Sequence, residues 1–218
     1  MAHKLKIGVL ASGNGSNLQA IIDRCERGEL PAEVVCVITN RADAYALERA
    51  KKHGIRSLHL SHKEFNGREA YDTAVVQELQ TCGVELVVLA GFMRIITKVL
   101  LDAFPQAVMN IHPALLPSFP GLDAQQQALD HGALITGCTV HFVDEGCDTG
   151  PIIIQAAVPV LAGDTVQTLS QRIHAQEHRI YPEAIRLYAE GRLTVRGRKV
   201  TASGSCSSAD EYLISPAC

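Results

Sequence analysis

The chain has 218 residues, 47% of them hydrophobic and 20% charged, which supplies apolar material for a sizeable core and excludes a chain disordered throughout. Lys and Arg number 20 against 23 Asp and Glu, which gives a formal net charge of -3. This charge excludes a protein that binds nucleic acid through an overall basic surface. No window approaches about 18 uninterrupted apolar residues, and the N-terminus carries no cleavage pattern. We therefore predict a soluble, cytoplasmic protein with neither a membrane nor a nucleic-acid partner.

The cysteines predict a reduced protein. Their number is odd, no two form a C-x-x-C, and several stand in apolar runs such as VVCVIT, where a thiol behaves as a small hydrophobe. The seven are Cys25, Cys36, Cys82, Cys138, Cys147, Cys206 and Cys218.

Strands and helices alternate in the first half of the chain. Apolar runs predict strands at 5–11, 33–39, 56–60, 86–90 and 107–111. Helical spacing predicts helices at 18–26, from Asp43 as cap to Gly54, at 67–81, and from Thr97 to before Pro105. Asn66 and Glu69 resemble a capping box for the third of these. Uniformly apolar strands alternating with helices favour a mostly parallel sheet with helices on both faces.

The second half adds an antiparallel edge. The three prolines of HPALLPSFPG predict an irregular loop over 112–121, followed by a helix at 123–131. Only a turn-like segment joins the β-rich runs 135–143 and 152–160, which predicts antiparallel neighbours. A long helix at 165–190, which Pro182 is expected to kink or split, leads to a hairpin about Arg196 and Gly197. We predict a single α/β, Rossmann-like domain over 1–200 and a disordered tail over 201–218.

Ligands of open α/β sheets bind beyond the carboxyl ends of the strands, and the first such loop is glycine-rich. In Gly13-Asn14-Gly15-Ser16-Asn17, glycines permit close backbone approach, and the helix start and the Ser16 hydroxyl can bind phosphate oxygens. The loop matches neither dinucleotide nor triphosphate fingerprints, so a monophosphate suits it. A plain turn with a Ser or Asn cap is the alternative.

Two further strand ends carry polar side chains. Asn110 and His112 stand two apart on one strand and so share a face, where an amide and a protonated imidazole can stabilise an oxyanion. A carboxylate of the acidic loop 144–148 could face His112, and such an ion pair would raise the imidazole pKa. A hydrogen-bonded strand end and a solvated acidic turn are the alternatives. Nothing in the sequence indicates a metal site or an activated nucleophile.

Five segments together resemble the glycinamide ribonucleotide formyltransferase family. They are SGNGSNLQAII, LAGFMRI, NIHPALLPSFPG, TVHFVDEGCDTGPII and AQEHRIYP, and they cover 5–200 in order. The resemblance implies the formyltransferase fold and transfer of the formyl group of 10-formyltetrahydrofolate, a co-substrate, to the amine of glycinamide ribonucleotide in purine biosynthesis. It implies small-molecule substrates and no metal, and it leaves monomer and homodimer open.

The resemblance also implies roles for individual residues. The catalytic residues would be Asn110, His112 and Asp148. The ribonucleotide would be held by Asn14, Gly15, Ser16 and Asn17 at its phosphate and by Glu177 at its glycinamide end. The folate would contact Arg68, Met93, Arg94, Ile95, Ile96, Asn110, Val143 and Asp144. Members of the family often carry His after the position of Gly121, where this chain has Leu122-Asp123-Ala124-Gln125.

Three other functions are alternatives to formyl transfer to glycinamide ribonucleotide. A formyltetrahydrofolate hydrolase would share Asn, His and Asp but has an extra N-terminal regulatory domain, whereas the first strand here begins at residue 5. A methionyl-tRNA formyltransferase needs a C-terminal RNA-binding domain that eighteen polar residues cannot supply. A non-catalytic phosphate- or nucleotide-binding module would keep the loop without the chemistry.

Overall fold

In the computed structural model, residues 3–204 are described, together with the backbone of 214–215. The chain divides into two compact units, Met1–Asn110 and Ile111–Cys218. The fold is a mixed α/β one, mostly parallel with antiparallel strands at one edge and helices around the sheet, as the sequence predicts.

The first unit is built on parallel strands in the order β3-β2-β1-β4-β5. The strands are β1 (Leu5–Ala11), β2 (Ala32–Thr39), β3 (Arg56–His59), β4 (Leu86–Leu89) and β5 (Val108–His112), which runs on into the second unit. The helices are α1 (Ser16–Glu26), α2 (Tyr45–Lys52), α3 (Arg68–Thr81) and α4 (Lys98–Ala103), with a 3-10 turn at His62–Glu64. Every residue of β4 is buried, as a strand covered on both faces requires. The carboxyl ends of β1 and β4 are neighbours, since Ser12 N donates to Gly91 O at 3.0 Å.

The second unit holds the antiparallel strands. β6 (Ile135–Phe142) and β7 (Ile152–Pro159) pair antiparallel with Cys138 opposite Ala156, which confirms the predicted pairing. β8 (Leu193–Arg196) and β9 (Lys199–Ala202) form the predicted hairpin. Its helices are α5 (Ala124–Asp130) and α6 (Val166–Ala189), and α6 packs against β6 and β7.

Two predicted helix caps are wrong. Asp43 does not cap α2: its carboxylate is engaged by Arg41, at 2.8 and 3.0 Å, and Ala44 is the N-cap residue. Asn66 and Glu69 form no capping box on α3, where Gly67 precedes the helix and no side chain caps it. A short polar side chain near a helix start has several possible partners, and the sequence does not say which it takes.

Pro182 does not split the last helix. α6 continues through it, and Pro182 is buried. Burial of this helix face outweighs the one backbone hydrogen bond that proline removes.

Much of the predicted tail lies outside the described residues. Within 201–218 the structure describes 201–204, of which 201–202 complete β9, and the backbone of β10 (Ile214–Ser215), which pairs antiparallel with β7. The predicted extents of the domain and of the tail stay predictions.

Candidate active site

Residues 13–17, called the phosphate loop below after the ligand that the sequence predicts for them, join β1 to α1. Gly15 is the N-cap residue of α1, in the left-handed region with φ of 74°, and Ser16 is the first helical residue. The alternative of a Ser or Asn cap is therefore wrong. Among the described residues, the Ser16 hydroxyl has no hydrogen-bond partner, and no acidic side chain stands in the first turn. The first amides of a helix lack acceptors within it, so this end of α1 suits an anion.

The phosphate loop lies directly against α2. A Cβ on Gly15 would approach the Cβ of Ala46 to 2.9 Å and its Cα to 3.0 Å. Ala46 N also donates to Gly13 O at 3.2 Å. Both the positive φ and the close approach require glycine at position 15.

The loop of residues 90–97 between β4 and α4 is tied down at both ends. Met93 N donates to Ser12 Oγ at 2.8 Å, and Ser12 Oγ donates to Asn40 Oδ1 at 2.7 Å. At the other end, Thr97 N donates to the buried carboxylate of Asp72 at 2.5 Å. The residue before the phosphate loop, Ser12, thus also anchors the 90–97 loop.

The predicted folate-contacting residues of the first unit present both apolar and cationic groups. Met93 and Ile95 are 68% and 57% exposed, whereas Ile96 is buried. The Arg94 guanidinium lies 5.3 Å from the centre of the Tyr71 ring, a cation–π distance. Arg68 is exposed at the start of α3. Exposed apolar side chains beside a held cation can accept a flat, partly anionic ligand.

Asn110 is half-buried on β5, where it stands opposite Leu89 of β4. His112, two residues further along β5, is only 4% exposed. Residues two apart on a strand share a face, as the sequence predicts.

His112 meets Asp148 inside the second unit. Its Nδ1 lies 3.3 Å from Asp148 Oδ2, and its Nε2 lies 2.8 Å from the carbonyl oxygen of Phe119. Asp148 Oδ1 lies 3.7 Å from Nε2 of the buried His141, and Gly121 N donates to Asp148 Oδ2 at 2.8 Å. A half-buried carboxylate thus lies between two buried imidazoles and a backbone amide, and the predicted contact of His112 with the acidic loop is confirmed.

The carboxylate of Asp148 stays ionised. Burial raises its pKa, but the hydrogen bonds with His141 and Gly121 N and the nearby His112 outweigh burial and bring the pKa to about 2. Its φ of 54° places it in the left-handed region, which Asp tolerates better than most residues.

The predicted rise in the His112 pKa is wrong. Burial lowers the pKa of His112 by more than the Phe119 carbonyl and Asp148 raise it, and His141 lowers it further. This environment therefore favours a neutral imidazole. Both ring nitrogens of His112 face acceptors, namely Asp148 and the Phe119 carbonyl oxygen. A neutral ring donates to only one of them, so a second proton on the ring would meet an acceptor that is already in place.

This direction predicts a pH dependence of stability. Because the folded-state pKa of His112 lies below its usual 6.5, the unfolded chain binds more protons just below that pH, so the free energy of unfolding falls on acidification there. Urea unfolding between about pH 7.5 and about pH 5 should show this fall, and His112→Asn should reduce its slope. An unchanged or steeper slope in the variant would mean that the pKa is not lowered.

The rest of the acidic loop is shaped by internal contacts. Asp144 Oδ1 accepts from Thr149 Oγ1 at 2.6 Å and from Gly146 N at 3.1 Å. A Cβ on Gly150 would overlap the carbonyl oxygen of Phe142, so glycine is required where the loop returns to β7. Val143 is half-buried at the start of this loop.

Glu177 is buried on α6, 4% exposed. Its charge raises the pKa of the buried thiol of Cys138 on β6, a smaller effect than that of burial itself. The predicted contact of Glu177 with the substrate stays a prediction.

Sequence reasoning missed His141. Its signal is a polar residue inside the apolar run TVHFV, which places a titratable ring on a buried strand.

Within residues 3–204, no group of three or more His, Cys, Asp and Glu side chains could hold a metal ion. The cysteines that the structure describes, Cys25, Cys36, Cys82, Cys138 and Cys147, are free thiols. No helix in the described part of the chain is long and apolar enough to cross a membrane.

The fold is that of an α/β protein, with a glycine-rich loop before α1 in the first unit and a His112–Asp148 pair in the second. The sequence profile of the formyl transferase family matches residues 5–185, and the chain belongs to this family.

The names of similar proteins indicate a particular activity. The chain is 47% identical over 189 residues to the phosphoribosylglycinamide formyltransferase of Escherichia coli, covering 87% of this chain and 89% of that protein. It is 52% identical over 190 residues to the trifunctional purine biosynthetic protein adenosine-3 of Drosophila pseudoobscura, covering 86% of this chain and only 14% of that relative's length. The crystal structure of glycinamide ribonucleotide transformylase 1 from Symbiobacterium toebii matches with a TM-score of 0.91 at 57% identity, covering 93% of this chain and 95% of that one.

Proposed function

We propose that this protein transfers the formyl group of 10-formyltetrahydrofolate to the amine of glycinamide ribonucleotide, giving formylglycinamide ribonucleotide and tetrahydrofolate. The observation that carries the proposal is the buried contact of 3.3 Å between His112 Nδ1 and Asp148 Oδ2. The proposal is supported by membership of the formyl transferase family and by the name of the E. coli relative, 89% of which the chain covers.

The reaction needs a proton shuttle and no net acid or base. The amine nitrogen attacks the formyl carbon, a tetrahedral oxyanion forms, and the bond from that carbon to the folate N10 then breaks. The amine loses one proton and N10 gains one, and we assign this transfer to His112. The resting imidazole is neutral because burial lowers the pKa of His112, so it is ready to accept a proton.

Asp148 stabilises the charged form of His112 in this scheme. With a pKa of about 2 the carboxylate is negative at any physiological pH, so it serves as a fixed counter-charge and not as the proton acceptor. Negative charge on the formyl oxygen favours the imidazolium further. Its Nε2–H, which lies 2.8 Å from the Phe119 carbonyl oxygen in this structure, then donates to the oxyanion instead, while Nδ1 keeps its contact with Asp148. The Asn110 amide is the second donor, each such donor being worth about 3 kcal/mol in a preorganised site.

The remaining predicted residues are proposed to hold the two substrates. For the ribonucleotide, the Ser16 hydroxyl and the α1 amides would bind the phosphate together with Asn14, Gly15 and Asn17, and Glu177 would meet the glycinamide end. For the folate, the exposed Met93 and Ile95 supply apolar surface, and the other proposed contacts are Arg68, Arg94, Ile96, Asn110, Val143 and Asp144. Binding of this kind accelerates transfer chiefly by orienting the two reactants. The cytoplasmic location stays a prediction, as does the choice between monomer and homodimer.

An absorbance assay for tetrahydrofolate formation tests the proposal. The purified protein is incubated with 10-formyltetrahydrofolate, with and without glycinamide ribonucleotide. Product formed only when the ribonucleotide is present is the expected result. Product formed equally without it would identify a hydrolase, and no product in either case would identify a non-catalytic binding module.

Gly15→Ala is expected to raise the KM for glycinamide ribonucleotide about 10-fold while leaving the KM for the folate unchanged. The added Cβ pushes the phosphate loop away from Ala46, and a displacement of this size weakens well-placed hydrogen bonds to an anion. Steady-state kinetics with each substrate varied in turn measures the effect.

Gly28→Ala is the matched control. Gly28 has the same left-handed backbone, φ 73°, but no atom lies within 4 Å of its added Cβ. Both variants should lose about 1–2 kcal/mol of stability from backbone strain, and only Gly15→Ala should change the KM for the ribonucleotide. Equal KM values in the two variants would count against phosphate binding by this loop.

A further inference from the structure

We propose that Arg49 on α2 is a positioning residue that holds the phosphate loop in its anion-binding conformation, an inference that rests on the proposed function. Arg49 Nε donates to the main-chain oxygen of Asn14 at 2.8 Å, and Nη2 donates to Asn14 Oδ1 at 2.8 Å. Nη1 donates to Gln19 Oε1, on the first turn of α1, at 3.1 Å. One planar guanidinium thus joins the loop to the helix that follows it.

Among the residues that the structure describes, no carboxylate forms an ion pair with Arg49. Its hydrogen-bond acceptors among the described residues are all neutral oxygens, and its guanidinium carbon lies 4.9 Å from the centre of the Tyr45 ring. Arg41 and Arg172, by contrast, each pair with an aspartate at 2.8 Å. A half-buried cation behind an uncharged loop favours an anion in front of that loop.

The position of Arg49 on α2 explains how it reaches the loop. Arg49 lies three residues after Ala46, so both side chains face the same side of the helix. Ala46 touches the Cα side of Gly15, and Arg49 Cδ lies 3.5 Å from the place of a Cβ there. α2 therefore supports the phosphate loop with a small side chain that allows close approach and a long one that hydrogen-bonds Asn14.

The consequence of losing Arg49 is specific. The Asn14 carbonyl and side chain lose their donors, and the turn at Gly15 loses its support, while the 90–97 loop keeps its own anchors through Ser12 and Asp72. The defect should therefore concern the phosphate-bearing substrate and not the folate.

The experiment compares Arg49→Gln and Arg49→Lys with Arg41→Gln as control, because Arg41 is an exposed arginine of the same unit. Arg49→Gln is expected to raise the KM for glycinamide ribonucleotide about 10-fold or more, with kcat and the folate KM within about 2-fold of wild type. Arg49→Lys keeps the positive charge but lacks the planar guanidinium with its several N–H donors, called the fork, and its KM for the ribonucleotide should lie between those of wild type and Arg49→Gln. Arg41→Gln should leave all three constants within about 2-fold of wild type.

Several outcomes would overturn the proposal. They are an unchanged ribonucleotide KM in Arg49→Gln, an equal rise in both KM values, or a loss confined to kcat. If Arg49→Gln does not fold, Arg49→Lys is judged alone, and a ribonucleotide KM equal to that of wild type then refutes the role of the fork.

A binding measurement separates this proposal from the proposed function. Titration calorimetry with ribose 5-phosphate reports on the loop without any turnover. If the wild-type protein transfers no formyl group but binds ribose 5-phosphate about 10-fold more tightly than Arg49→Gln does, the proposed function fails and the role of Arg49 stands. Equal affinities in the two proteins would refute the role of Arg49 whatever the catalytic result.

Discussion

Asp148→Asn is expected to lower kcat/KM for formyl transfer by at least about 100-fold at neutral pH, with the protein still folded. The amide keeps the size of the side chain and tolerates the left-handed backbone at this position. It removes the negative charge that stabilises a protonated His112 at 3.3 Å and introduces a donor toward His141. The loss should appear in kcat, since the charge acts mainly as the oxyanion forms.

The neighbouring Glu145→Gln is the control for this variant. Glu145 is exposed in the same loop, so the change removes the same formal charge without touching His112 or His141. Its kcat should stay within about 2-fold of wild type. If Glu145→Gln and Asp148→Asn lose activity equally, the effect comes from the general field of the loop and not from the buried pair.

His112→Asn is the second variant with a large expected effect, again at least about 100-fold in kcat. The double variant His112→Asn with Asp148→Asn should lose little more than either single variant, because residues that act as one unit are strongly non-additive. Initial rates of all three proteins, each shown to be folded by circular dichroism, measure this. Losses that multiply would mean that His112 and Asp148 act independently, against the assignment of Asp148 as counter-charge.

The strands and their order of appearance could be predicted because buried parallel strands are read directly as apolar runs. β1 begins and ends where predicted, and the β6–β7 pairing followed from the short connection between two β-rich runs. Helix caps could not be predicted in the same way. The Asp43 carboxylate binds the Arg41 guanidinium instead of the backbone amides at the start of α2. Both possible partners lie within a few residues of Asp43, and the sequence does not say which of them it binds.

The candidate residues of the site could be predicted in part because strand alternation and the family resemblance point to named positions. The shared face of Asn110 and His112 follows from their spacing on β5, and a contact of His112 with the acidic loop follows from the position of that loop between two β-rich runs. The resemblance singled out Asp148 within the loop. The protonation state of His112 did not follow, since it depends on how deeply the ring is buried, which the sequence does not give. Arg49 was missed because its partners Asn14 and Gln19 are 35 and 30 residues away.

The most direct measurement follows a ¹³C label from donor to acceptor. The wild-type protein is mixed with 10-formyltetrahydrofolate labelled in the formyl carbon and with glycinamide ribonucleotide, and the label is observed by ¹³C NMR. We predict that the labelled carbon appears as a formamide on the ribonucleotide nitrogen, in a yield equal to the tetrahydrofolate formed. Label released as free formate, or label that stays on the folate although folded protein is present, would contradict the account.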